Sequence, residues 1–271
     1  MIGGITVAPT VYKGAIMRLA ALLLPLLFGC PTETNDTDDT DDTDDTDDTD
    51  ETAVVCDEPV EPDCIDAIIL DLSLHDDKTS NGKVKTTEDG DDFVTTVDAS
   101  AGGYGNETNN PWVYIKFTVD GAERVNIDDE TALESMEWHF AARRYIVRVN
   151  SGSSGPSCVG AASFLNQSYE DLTEIPDGTT YYNDDYYTSN CTIINDSSGL
   201  PNSPQVVMGP WWSYPGCVAT SEVPFLIQLE DGKVLKLVVE TYYESGQKTC
   251  NDNGTPGSGS GFLTFRWQFM S

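Results

Sequence analysis

His75 and His139 are the only imidazoles in the chain, and a nucleophilic hydrolase needs such a base beside a serine or cysteine. His139 sits in Met136-Glu137-Trp138-His139-Phe140 and alternates with two aromatics as on a strand; His75, in Leu74-His75-Asp76-Asp77, reads as a strand end. Neither Gly-x-Ser-x-Gly nor His-Glu-x-x-His occurs. Asp184-Asp185, close to Tyr181, Tyr182, Tyr186 and Tyr187, could serve a glycosidase as a carboxylate beside a sugar-stacking floor. Adjacent carboxylates in a Tyr/Asn/Asp loop read more simply as solvated surface. The expectation is a protein that is not an enzyme.

Binding features are better represented. Met208-Gly209-Pro210-Trp211-Trp212-Ser213-Tyr214-Pro215 packs two Trp and one Tyr into a loop constrained by two prolines. Clustered loop aromatics can floor an apolar ligand pocket. The competing reading makes Trp212 and Tyr214 alternate positions of a strand, with Trp212 directed into the core.

The seven cysteines are Cys30, Cys56, Cys64, Cys158, Cys191, Cys217 and Cys250, with no Cys-x-x-Cys among them. A zinc ribbon or thioredoxin-type site is therefore not expected. Cys30 closes Leu27-Phe28-Gly29-Cys30, after Arg18 and the apolar run Leu19–Phe28. That run is too short to span a bilayer, which needs roughly 20 residues, but it suits a secretory signal. It is similar to a bacterial lipobox, with Cys30 acylated, although Phe28 stands where a small residue is usual. Met17 is an alternative start. Pro31 follows the cysteine where an inner-membrane retention signal would carry Asp, so an outer-membrane lipoprotein is expected. The six remaining cysteines form an even set, as in an oxidised exported domain, and allow 15 pairings. Cys56 and Cys64 flank a short proline-containing loop and make the first pair to consider.

Charge sets further bounds. The chain carries 46 acids against 14 bases, a formal net charge of −32. Twelve of the acids fall between Glu33 and Thr52, leaving 34 acids and 12 bases, about −22, in residues 53–271. This excludes a nucleic-acid binder working through a basic surface and argues against electrostatic adhesion to anionic lipid. From Asp36 to Asp50 the sequence repeats Thr-Asp-Asp with nothing apolar to bury, as in a disordered, extended stalk. Residues 31–55 would reach roughly 80 Å if stretched. A calcium-binding repeat would need glycine turns and carbonyl ligands that the tract lacks.

The elements that would position these residues are strands. Val113, Ile115, Phe117 and Val119 alternate along Trp112–Val119 and run into an Asp120-Gly121 turn. Tyr145, Val147 and Val149 repeat the pattern in Arg144–Asn150. Leu235, Leu237 and Val239 follow the hairpin signal Glu230-Asp231-Gly232-Lys233, and Leu263, Phe265, Trp267 and Phe269 form a last inward row. Only Asp129–Trp138 offers a short helical turn, capped by Asp128 or Asp129. The fold class is mainly β, a single antiparallel domain, with long loops over residues 177–216 where function often sits. The expected organisation is a signal peptide at 1–29, an acylated acidic linker at 30–55 and a β domain at 56–271.

These segments together resemble the HmuY family of bacterial haem-binding lipoproteins, from about Thr95 to Phe269. Val97-Asp98-Ala99-Ser100, Trp112–Phe117 with Asp120-Gly121, Glu137–Ala141, Arg144-Tyr145 and Val149–Gly155 carry the first half. Phe225–Ile227, Asp231-Gly232-Lys233, Lys236-Leu237, Tyr242-Tyr243 and Gly261–Phe265 carry the rest. The resemblance implies a β domain whose sheet and loops grip haem for delivery to an outer-membrane receptor. It also marks departures. His139 stands where the family commonly has an acid. The stretches matching the two iron-ligating loop histidines, Tyr214–Cys217 and Tyr181–Gln205, contain no His. Some relatives use methionine, which makes Met208 the first candidate iron contact here, ahead of His139. Its bland alternative is packing against Trp211 or Trp212. Haem propionates would seek Arg143 and Arg144, otherwise strand-face charges. The expected function is an anchored haem- or porphyrin-capturing lipoprotein. The alternative keeps the scaffold but binds another ligand or a protein partner, and a secreted glycan-active enzyme is the third reading.

Overall fold

Period-two alternation marks the strands with one face toward solvent, while strands buried on both faces lose it, and the described residues form twelve strands in all. The structure is a computed structural model that describes residues 55–200 and 203–271. The lipobox cysteine and the Thr-Asp-Asp tract lie outside the described residues. In chain order the first seven strands are β1 (Val84–Asp89), β2 (Asp92–Asp98), β3 (Val113–Thr118), β4 (Gly121–Val125), β5 (Phe140–Arg143), β6 (Ile146–Val149) and β7 (Gly160–Ser163). After the long loop come β8 (Trp212–Ser213), β9 (Ala219–Thr220), β10 (Pro224–Gln228), β11 (Val234–Tyr243) and β12 (Ser260–Phe269). Two short helices, α1 (Ile65–Asp71) and α2 (Lys248–Asn253), complete the set.

All strand pairs are antiparallel. They form a six-stranded sheet in the order β1-β2-β12-β11-β10-β7, a four-stranded sheet β4-β3-β5-β6 and the small hairpin β8-β9. The fold is mainly β, as the alternation predicts. Inward rows of the two larger sheets, including Ile115, Phe117, Phe140, Leu237, Phe265 and Trp267, share one core. The four-stranded sheet is buried on its other face too. There Trp112, Tyr114, Trp138 and Tyr186 pack with Ile68 of α1 and with Leu72. At one edge the sheets are joined by Thr86 of β1, whose hydroxyl donates to the Ala122 carbonyl and accepts from the Ala122 N–H of β4. Gly121 permits that approach: it has φ +128°, and a Cβ there would come within 2.9 Å of Thr86.

Local departures from the sequence reading have physical causes. The helical turn contracts to a 3-10 turn at Thr131–Glu134, with Asp128 accepting from the Thr131 N–H at 2.9 Å. Asp129 turns inward instead and accepts from the backbone N–H groups of Trp112 and His75. The strand expected over Arg144–Asn150 starts at Ile146, because Arg144 has φ 56° in the tight turn after β5. Val119 ends its row in the turn and is exposed.

The pairing Cys56–Cys64 is corrected. The disulfides are Cys56–Cys158, Cys64–Cys191 and Cys217–Cys250. Cys64 stands at the N-cap of α1, and the segment before it is drawn against the loop after β6 by a Val60 N–H bond to the Pro156 carbonyl. Each cysteine of the pair thus faces a different distant loop. The first two bridges close loops of 102 and 127 residues.

The long loop is fastened by one buried carboxylate. Asp184 accepts from the Val149 N–H of β6 at 3.0 Å, the Ser154 hydroxyl at 2.6 Å and the Val207 N–H at 2.8 Å. Its own carbonyl accepts from Ser153 N–H at 2.7 Å. Gly152 (φ +52°) is required beneath it, since a Cβ there would lie 2.1 Å from the Asp184 carbonyl oxygen. Burial pushes the Asp184 carboxyl up to about 6, against the lowering effect of the Ser154, Val207 and Val149 hydrogen bonds and of Arg148.

Two outcomes follow from these contacts. Replacing Cys64 and Cys191 with serine should remove on the order of 4 kcal/mol of loop-closure stabilisation. A thermal melt should then fall by roughly 10 °C, and an unchanged melting temperature would contradict the linkage. The raised value of Asp184 means the folded chain holds that proton more tightly than the unfolded chain. Its contribution is therefore full below about pH 4 and is lost as the pH rises through about 6. Urea unfolding of the wild type and Asp184→Asn should show their stability gap shrinking by roughly 2–3 kcal/mol between pH 4 and pH 7. A gap independent of pH would contradict the shift.

Candidate functional site

The loop that Asp184 fastens forms one wall of a cleft of about 730 Å³. Its lining comes from Tyr182, Asn183 and Asp185, from Asp196–Ser198, from Gln205–Val207, and from Gly209, Pro210 and Trp212–Tyr214. Backbone pairing holds these pieces in place. Tyr182 exchanges two 2.9 Å hydrogen bonds with Ala161 of β7, extending the six-stranded sheet into the cleft wall. Gln205 N–H donates to the Ile194 carbonyl and Asp196 N–H to the Ser203 carbonyl. The Asp196 side chain accepts from the Ser198 N–H and from the hydroxyls of Ser198 and Ser203.

The opposite wall is aromatic. A 3-10 turn at Gly209–Trp211, with Pro210 fixing its start, delivers the chain into β8. Trp211 is buried and donates its indole N–H to the Tyr145 carbonyl at 3.1 Å. The Trp212 ring lies 4.7 Å from Tyr145 and 6.3 Å from Trp211, so it is held from behind. Burial, with Asp196 and Glu107 adding to it, pushes the Tyr145 hydroxyl up to about 12. Trp212 pairs with Thr220 across the β8–β9 hairpin, and Cys217–Cys250 ties that hairpin to α2. Tyr214 is half exposed at the rim.

Of the six residues singled out as ligand contacts, only Tyr214 lines this cleft. Met208 is fully buried in the main core, although its neighbours Val207 and Gly209 both line the cleft. His139 is buried, with both ring nitrogens engaged. Nδ1 accepts from the Phe117 N–H at 3.0 Å, which leaves the proton on Nε2 to face Glu230 at 3.0 Å. Burial alone would raise the Glu230 carboxyl, yet the His139 contact holds it below the ordinary value. Arg143 donates to the carbonyls of Leu72 and Ser73 and lies over the Trp112 ring at 4.5 Å. Arg144 donates to the carbonyl and hydroxyl of Ser260 and to the Ser100 carbonyl. These four residues are thus spent on the fold and are not gathered around one opening.

Sequence reasoning passed over Asp196 and Gln205, and it grouped Asp184 with Asp185 as one surface pair. The structure separates the pair: Asp184 is buried, while Asp185 is exposed in the cleft. The signal was available in the alternation Asn183-Asp184-Asp185-Tyr186, whose second and fourth members are buried. A second cleft of about 670 Å³ lies on the other side of Asn183 and Asp185, walled by Val60–Cys64 and the loop after β6. Among the described residues no group of three or more His, Cys, Asp or Glu is placed to hold a metal ion.

Comparison with known proteins gives this arrangement a family. No curated protein matches the chain. Among solved structures, a Bacteroides vulgatus protein described as an HmuY-like heme binding protein is 19% identical. The alignment covers 68% of this chain and 95% of that one, with a TM-score of 0.42. A Bacteroides fragilis protein described as a lipoprotein is 15% identical over 67% of this chain and 93% of its own, TM-score 0.39. The apo HmuY analog of Tannerella forsythia is 14% identical over 72% and 100%, TM-score 0.37. The family model described as HmuY protein matches residues 108–253, more than half of the chain and every residue that lines the first cleft. This chain belongs to the HmuY family.

Proposed function

We propose that this chain is an envelope lipoprotein, anchored through Cys30, that captures a ligand other than haem in the cleft between Tyr182 and Tyr214. Family membership supports a binding role, since HmuY proteins form a binding-protein family. The leader and the lipobox-like Leu27–Cys30 support anchoring at the outer membrane, with the acidic linker holding the domain away from it. Delivery to an outer-membrane receptor belongs to the same reading.

The observation that carries the choice of ligand is the lining of the cleft. Among the described residues it contains no His, Met, Cys, Lys or Arg. Haem iron needs an imidazole, thioether, thiolate or phenolate donor aimed at an open face, and its propionates need cations. Among the described residues Tyr182 and Tyr214 are the only cleft donors of those kinds, and two carboxylates accompany them. His139, Arg143 and Arg144 are buried and already hydrogen-bonded. The haem-capturing reading has one observation in its favour: buried Met208 stands in the chain between cleft-lining Val207 and Gly209. A rearrangement of that short turn would bring it forward.

Titration of the purified chain with haemin separates the two readings. The expected result is a Soret band that stays at the position of free haemin in both ferric and ferrous states, with no change on Met208→Ala. A sharp, shifted band that Met208→Ala abolishes would restore haem as the ligand.

A further inference from the structure

We propose that the cleft is a site for an organic cation, an alkylated ammonium group carried on an apolar body; the proposal rests on the reading of this cleft as the ligand site. Tyr182, Trp212 and Tyr214 supply aromatic surface, Asp185 and Asp196 supply two carboxylates, and none of the 14 lining residues is basic. An ammonium group over an aromatic face is attracted by the ring quadrupole, most strongly where water is partly excluded. An anion in the same place would meet two like charges with no counter-charge.

The two carboxylates play different parts. Asp196 is fixed by the hydroxyls of Ser198 and Ser203, so its charge is held in one place. Asp185 is exposed and makes no hydrogen bond or ion pair with any described residue, which leaves its charge for a ligand. Trp212, backed by Tyr145 and Trp211, is a wall that exists before binding, and pre-organisation of this kind lowers the cost of association. The acidic body, about −22 over residues 53–271, draws cations toward the opening. A volume of about 730 Å³ suits a small organic molecule and is far more than a bare metal ion fills.

Calorimetric titration of the full chain at low ionic strength, with choline and with its uncharged carbon analogue 3,3-dimethylbutan-1-ol, tests the proposal. Choline should bind at least about tenfold more tightly than the neutral analogue. Asp185→Asn and Tyr214→Ala should each weaken choline roughly three- to tenfold. Both positions are exposed, so their thermal melts should stay unchanged. Choline binding that neither variant alters would overturn the site. Equal binding of both compounds with loss on Tyr214→Ala would overturn the cation while keeping the cleft as a ligand site. If neither compound binds, the cation falls. The cleft reading falls with it if Trp212 fluorescence, isolated by comparison with Trp212→Phe, is also unmoved by neutral oligosaccharides.

Discussion

One buried carboxylate sets the geometry on which the candidate site depends. Asp184 ties together β6, the turn at Ser151–Ser154 and the strand-like stretch ending at Val207. Three donors converge on it, two from the adjoining β6 and Ser151–Ser154 turn and one from Val207. None of those donors would be satisfied if the loop lifted away, and unpaired buried N–H groups are costly. Asn183 and Asp185 are therefore delivered to the two clefts as a consequence of where Asp184 must go. The burial that makes this node rigid also makes its charge expensive, which is why the carboxyl is pushed up instead of down.

The same economy governs the basic residues. The acidic body has few cations, and several arginines are committed inside. Arg148 is fully buried, 4.1 Å from the centre of the Trp112 ring, with Arg143 at 4.5 Å from the same ring. The guanidiniums thus furnish the second core with hydrogen-bond donors and cation–π contacts. Burial lowers Arg143 to about 10, with Asp129 opposing it. What remains at the surface near the cleft is negative.

Much of the fold was legible because strands advertise themselves by period-two alternation. Rows such as Val113-Ile115-Phe117 and Leu263-Phe265-Trp267 landed inward as read. Trp212 was also legible as a β position directed into the core, and the structure pairs it with Thr220 and buries it in the main core while it still borders the cleft. What escaped depended on contacts between residues distant in sequence. Cys56 and Cys64 looked like partners because they are near in sequence, but a disulfide responds to Cα separation in the folded chain. Arg143 and Arg144 looked like surface charges because nothing local reveals that Leu72 and Ser260 carbonyls await them. The cleft itself is assembled from five short pieces brought together by contacts distant in sequence, so only its aromatic edge and the alternation Asn183–Tyr186 could be seen beforehand.

The placement of the first two disulfides has a mechanical consequence. Cys56 is bonded to Cys158 beside β7, its N–H donates to the Glu230 carbonyl, and Cys64 is bonded to Cys191. A load entering the body at residue 55 is therefore passed at once into covalent bonds that reach two separate loops. Peeling of the N-terminal segment of the described chain is blocked at its first step. A pull applied there acts on a cross-linked shoulder before it reaches the hydrogen-bonded sheets and the cleft they support.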